Sequence, residues 1–96
     1  LGVKHVIICG HSDCGAMRAL LHSERLAKLP SVLGWLHHAE AARRTVLEVE
    51  PLPPEDQLLR ALTEQNVVTQ LTNLRTHPSV AVKLAKGELS LHGWFY

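Results

Sequence analysis

The chain has 96 residues, 46% of them hydrophobic and 20% charged, with a formal net charge of +1. That length allows one small domain of globular composition, and the scattered basic residues argue against nucleic acid or an anionic membrane surface as a partner. No apolar run reaches the ~20 residues of a membrane span, and two cysteines, Cys9 and Cys14, are too few for a disulfide scaffold and point to free thiols or metal ligation in a reducing compartment.

Residues 3–9, VKHVIIC, read as a strand that becomes buried on both faces and ends at Gly10. Ser12 or Asp13 is then placed to cap a helix starting near Cys14, with Met17, Leu20 and Leu21 turned inward. A second helix is expected over residues 31–49, capped by Ser31, with Val32, Leu33, Leu36, Ala39 and Ala42 or Arg43 marking its apolar period. The prolines at 51, 53 and 54 break the chain. Pro54, Glu55 and Asp56 open a third helix, because proline and acids suit a first turn. It should run to about Arg75, with Leu59, Leu62, Val67, Leu71 and Leu74 toward the core, and stop at His77-Pro78. A short helix over residues 79–86 with Gly87 as its stop, and a strand over 89–96, complete the chain. Two strands joined by this much helix should lie parallel in one sheet flanked by helices, an α/β arrangement that needs more strands than this chain supplies. The chain starts and stops beside apolar runs, so a piece of a longer protein is expected.

Residues 8–17, ICGHSDCGAM, carry the chemistry. One reading is a serine elbow centred on Ser12, but Cys14 stands where the second glycine of G-x-S-x-G belongs. A phosphate loop fits worse, since Ala16-Met17 replaces the lysine and hydroxyl residue that the loop requires. The other reading is a metal. His11 lies at the carboxyl end of a strand, where α/β folds place their sites. Cys14 lies at the start of a helix, whose free N–H groups favour a thiolate. Imidazole nitrogen and thiolate sulfur are zinc donors. By spacing alone, H-x-x-C is weak, and a thiol in a turn beside a backbone-bonded histidine is the alternative.

The surrounding residues resemble the β-class carbonic anhydrases. CGHSDCGAM (9–17) looks like the second zinc motif of that family, and WLHHAE (35–40), ALTEQNVVTQLTNLRTHP (61–78) and LSLHGWFY (89–96) are similar to later segments in the same order. The resemblance implies reversible hydration of CO2 to bicarbonate and a proton by zinc-bound hydroxide. It also implies a homodimer or larger homo-oligomer in the cytoplasm; the closing segment is closest to forms linked to bacterial CO2 concentration and carboxysomes. It makes His11 and Cys14 two of three protein ligands to Zn2+. The first ligand in the family is a cysteine of a C-x-D-x-R motif some fifty residues upstream, and this sequence has no such motif. The chain is therefore expected to be the C-terminal portion of the domain, inactive and a weak zinc binder by itself. A non-catalytic binding or assembly module of the same family is the runner-up.

Cys9 is expected to face the core. Asp13 should be a cap or a solvated turn residue. His5, His22, His37, His38, His77 and His92 are expected in surface, structural or packing roles. Glu64, Asn66 and Gln70 should satisfy partner groups from the third helix.

Overall fold

The structure, a computed structural model, describes residues 2–96. The Val-Ile-Ile run forms strand β1 (His5–Gly10), which pairs in parallel with β2 (Ser90–Phe95). Ile8 stands opposite Gly93 and Gly10 opposite Phe95. Between them lie five α-helices: α1 (Gly15–Leu21), α2 (Pro30–Leu36), α3 (Glu40–Leu47), α4 (Glu55–Arg75) and α5 (Pro78–Ala85). The α/β arrangement with a parallel sheet is as expected; among the described residues the sheet has two strands.

The helix expected over residues 31–49 is instead α2, a 3-10 turn (His37–Ala39) and α3. Pro30 sits at the first helical position, where its missing N–H costs nothing, so α2 starts earlier than Ser31 and Leu29 becomes its cap. Val32 and Leu33 are exposed and do not share the buried face of Leu36, Ala39, Ala42 and Val46. Across the tighter 3-10 winding these four residues stay in one core, and the turn and α3 both pack on α4. The Gln70 side-chain amide donates to the His38 carbonyl at 3.0 Å and ties α4 to the turn. A second 3-10 turn (Ser23–Leu26), not anticipated, buries Leu26.

Helix α4 follows its prediction. Leu59, Leu62 and Val67 are buried, and Leu71 and Leu74 are half-buried. It packs on α3 with one side and on the sheet with another. The main core joins Met17, Leu20, Leu26, Leu36, Ala39, Ala42, Val46, Leu59 and Leu62. Helix α4 crosses the sheet over two glycines. A Cβ at Gly10 would stand 2.9 Å from methyls of Thr63 and Val67, and one at Gly93 would stand 2.8 Å from Val67. Helix α5 stops as predicted at Gly87, whose φ is +71°. The Gly87 N–H donates to the Leu84 carbonyl and the Glu88 N–H to the Lys83 carbonyl, the paired bonds of a Schellman stop.

The period-2 pleat divides the sheet. Val6, Ile8 and Gly10 share the α4 side with Gly93. His5, Ile7 and Cys9 fall on the other side with His92 and Trp94. Ile7 and Trp94 are exposed there. Cys9, expected toward the core, is exposed as well, because alternation puts it on the face away from α4.

Candidate metal centre

The loop between β1 and α1 continues the sheet before it turns away. The Tyr96 N–H donates to the Gly10 carbonyl at 3.1 Å, and the Ser12 N–H donates to the Tyr96 carbonyl at 2.7 Å. These two bonds anchor the loop at the carboxyl end of both strands. Cys14, not Ser12 or Asp13, is the N-cap of α1, and no side chain bonds the free N–H groups. Asp13 is instead the loop's corner. Its φ of 55° lies in the left-handed region, and its carboxylate accepts from Arg18 at 2.5 Å.

His11 and Cys14 occupy the two ends of this corner. The His11 Nδ1 lies 3.0 Å from the Ser12 carbonyl. A carbonyl only accepts, so Nδ1 carries the proton and the Nε2 lone pair is left for a ligand. Ligating histidines are usually oriented by such a bond from the other ring nitrogen. The Cys14 thiol is free and half-buried, and packs against the main core. Donor types and histidine orientation thus fit zinc. Among the described residues no group of three His, Cys, Asp or Glu side chains could hold a metal. The loop offers two donors, half of a tetrahedral set.

The serine reading gains nothing from the geometry. A nucleophile elbow puts its strain at the serine, whereas here the positive φ belongs to Asp13. Among the described residues no hydrogen bond joins the Ser12 hydroxyl to a histidine.

Beside the loop lies a cleft of about 270 Å³ lined by Ser12, Asp13, Arg18, Asp56, Leu59, Arg60, Thr63 and Phe95. The Arg60 guanidinium stacks over the Phe95 ring at 4.9 Å and also bonds Glu64. On the other side of α1 a larger cleft of about 450 Å³ includes Trp35, His38, Asn66 and Gln70. Gln70 bonds Asn66 and the His38 carbonyl, so these amides satisfy partner groups as expected.

The other histidines take structural or surface positions. His22 bonds Glu55 and sits 3.8 Å from Glu24. The hydrogen bond from His22, reinforced by its charge, holds the Glu55 carboxyl below the usual carboxylate range. His38 packs edge-on against Trp35, His37 is exposed, and exposed His77 caps α5. His5 and His92 meet across the strands, a pairing that the sequence pattern did not signal because it depends on register.

The family model of the carbonic anhydrases matches residues 1–96. A carbonic anhydrase of Pseudomonas aeruginosa is 53% identical over 96 residues, which cover all of this chain and 43% of that protein. One of Synechocystis is 45% identical, with all of this chain and 35% of that protein covered. Carbonic anhydrase 1 of Escherichia coli O157:H7 is 43% identical, again with 43% of its length covered. The chain thus spans less than half the length of these curated relatives. The solved structure of the beta-carbonic anhydrase CcaA superposes with a TM-score of 0.92 at 45% identity, over 98% of this chain and 43% of that one. A profile that matches every residue and a backbone that follows a β-class enzyme this closely lead to one assignment: the chain belongs to the β-carbonic anhydrase family.

Proposed function

We propose that residues 1–96 are the C-terminal portion of a zinc-dependent carbonic anhydrase domain that interconverts CO2 with bicarbonate and a proton. The observation that carries the proposal is the His11 bond to the Ser12 carbonyl, which frees Nε2 at the loop that ends in Cys14. When bound, zinc would lower the pKa of water to about 7 and so supply a nucleophile near neutral pH. This chain's residues hold and orient. The Ser12–Tyr96 bond fixes the loop to β2. The Asp13–Arg18 bond fixes its corner. His11 and Cys14 supply nitrogen and sulfur.

Two donors alone bind zinc weakly, so the proposal includes a further protein ligand from outside residues 1–96, supported by relatives more than twice as long. The isolated 96 residues are then a weak zinc binder without turnover. Exposed Trp35 on α2 supports a homodimer or larger oligomer. Two free cysteines support a cytoplasmic or carboxysomal location, where thiols persist.

The test is zinc content and stopped-flow CO2 hydration of the intact protein. His11→Ala and Cys14→Ser should each lose zinc and hydration together. Hydration retained in both variants overturns the assignment of these ligands. A folded intact protein with neither zinc nor hydration overturns the enzymatic reading in favour of a binding or assembly role. A fluorophosphonate probe should leave Ser12 unlabelled.

A further inference from the structure

We propose a second metal site, separate from the His11–Cys14 loop: an exchangeable site for a borderline divalent transition ion, held by His5 of β1 and His92 of β2. The His5 Nδ1 and the His92 Nε2 lie 3.1 Å apart. The ring centroids are 5.3 Å apart. The rings meet nitrogen to nitrogen, and only one proton fits between them.

The sheet sets up this encounter. His92 pairs with Ile7, and His5 pairs with Ser90, so the two histidines are diagonal neighbours on the face away from α4. Parallel backbone bonds hold both Cα atoms, so little freedom remains to be lost when an ion binds. Two metal–nitrogen bonds of about 2.0–2.1 Å across that separation subtend roughly 95–100°. That is close to the right angle between neighbouring ligands in octahedral or tetragonal coordination, the geometry of Ni(II) and Cu(II). Neutral imidazole suits these ions and zinc. The contact is exposed, so small swings of both rings can turn the lone pairs toward a common point.

Among the described residues no third donor completes a set of three, so this chain contributes two imidazoles to the ion. An ion held this way exchanges freely. It also joins the two strands covalently through its ligands, and so stabilises their pairing by linkage.

Ni(II) alone is the probe, because it does not oxidise the free thiols. It is added at substoichiometric levels to the intact protein while the histidine ring signals are followed by NMR. The His5 and His92 rings should broaden together and ahead of exposed His37. In His92→Ala the His5 ring should no longer broaden at the same Ni(II) level, and in His5→Ala the His92 ring should behave alike. His37→Ala should change nothing at either ring. Broadening of one ring that survives loss of the other overturns the site, as does absence of broadening at both. If His92→Ala fails to fold, His5→Asn at the exposed strand start serves instead. Ni(II) should then raise the melting temperature of the unmodified protein and not that of His5→Asn, and equal shifts in the two overturn the proposal.

Discussion

Arg18 reaches back from the last turn of α1 to donate to the Asp13 carboxylate at 2.5 Å, and so clasps the one non-glycine residue among those described whose φ is positive. The clasp lies between His11 and Cys14, the two proposed zinc donors. Both partners are largely exposed, their side chains 47% and 82% accessible, so the ion pair itself contributes at most about 1 kcal/mol. The backbone dominates. Asp and Asn tolerate the left-handed region, whereas a β-branched residue there costs about 1–2 kcal/mol. Asp13→Gly should therefore keep stability within about 1 kcal/mol, and Asp13→Val should lose more than that and weaken zinc binding. Urea denaturation and zinc competition titrations check both; a Val variant as stable as the Gly variant contradicts the argument.

Gly10 and Gly93 are where α4 lies against the sheet. A Cβ at either would come within 3.0 Å of Val67. Overpacking of this kind costs about 1–3 kcal/mol. Gly93→Ala should fall in that range, and Val67→Ala in the same chain should recover part of the loss. The double-mutant cycle reads the coupling directly. Strictly additive losses would show that the helix does not rest on this glycine.

Leu62 is fully buried in the core between α3 and α4. Leu62→Ala should destabilise by about 2–5 kcal/mol, the range for a buried leucine whose cavity only partly collapses. Leu52, exposed in the proline-rich connection, is the control, and its alanine variant should stay within about 0.5 kcal/mol. Chemical denaturation of the two variants separates them, and similar losses would mean that Leu62 is not a core residue.

Much of this architecture is legible in the sequence where one local cause dominates. Pro54 with two following acids starts α4, and Gly87 stops α5, because each acts on its own turn of backbone. The break between α2 and α3 is not legible. His37 and His38 carry no helix-breaking signal, and the break goes with Leu36 and Val46 sharing one buried core. Cys9 shows the same limit, since an apolar run does not reveal which of its faces a helix will cover. The candidate metal motif is readable as His11 and Cys14, but the tautomer of His11 depends on where the Ser12 carbonyl turns. That loop is held by a bond between Ser12 and Tyr96, residues 84 positions apart in the chain.

Glu55 gives the fold an acid-sensitive joint. Its carboxyl accepts from His22, which follows α1, and so ties the end of that helix to the start of α4. The hydrogen bond and charge of His22, with smaller help from Arg18 and Arg25, depress the Glu55 pKa below 4.5. A depressed carboxylate binds protons less readily in the folded state than in the unfolded one. Its contribution is therefore present above the unfolded pKa of about 4.5 and is lost as pH falls through the lower folded value. Glu55→Gln should consequently flatten the loss of stability on acidification below about pH 4.5. His22→Ala should flatten it equally, and the double variant no further, because one pair is removed in each case. Denaturation midpoints at pH 7 and in the acid limb, at low and high salt, make the comparison. An acid limb as steep in Glu55→Gln as in the unmodified protein would show that the joint bears no part of the pH dependence.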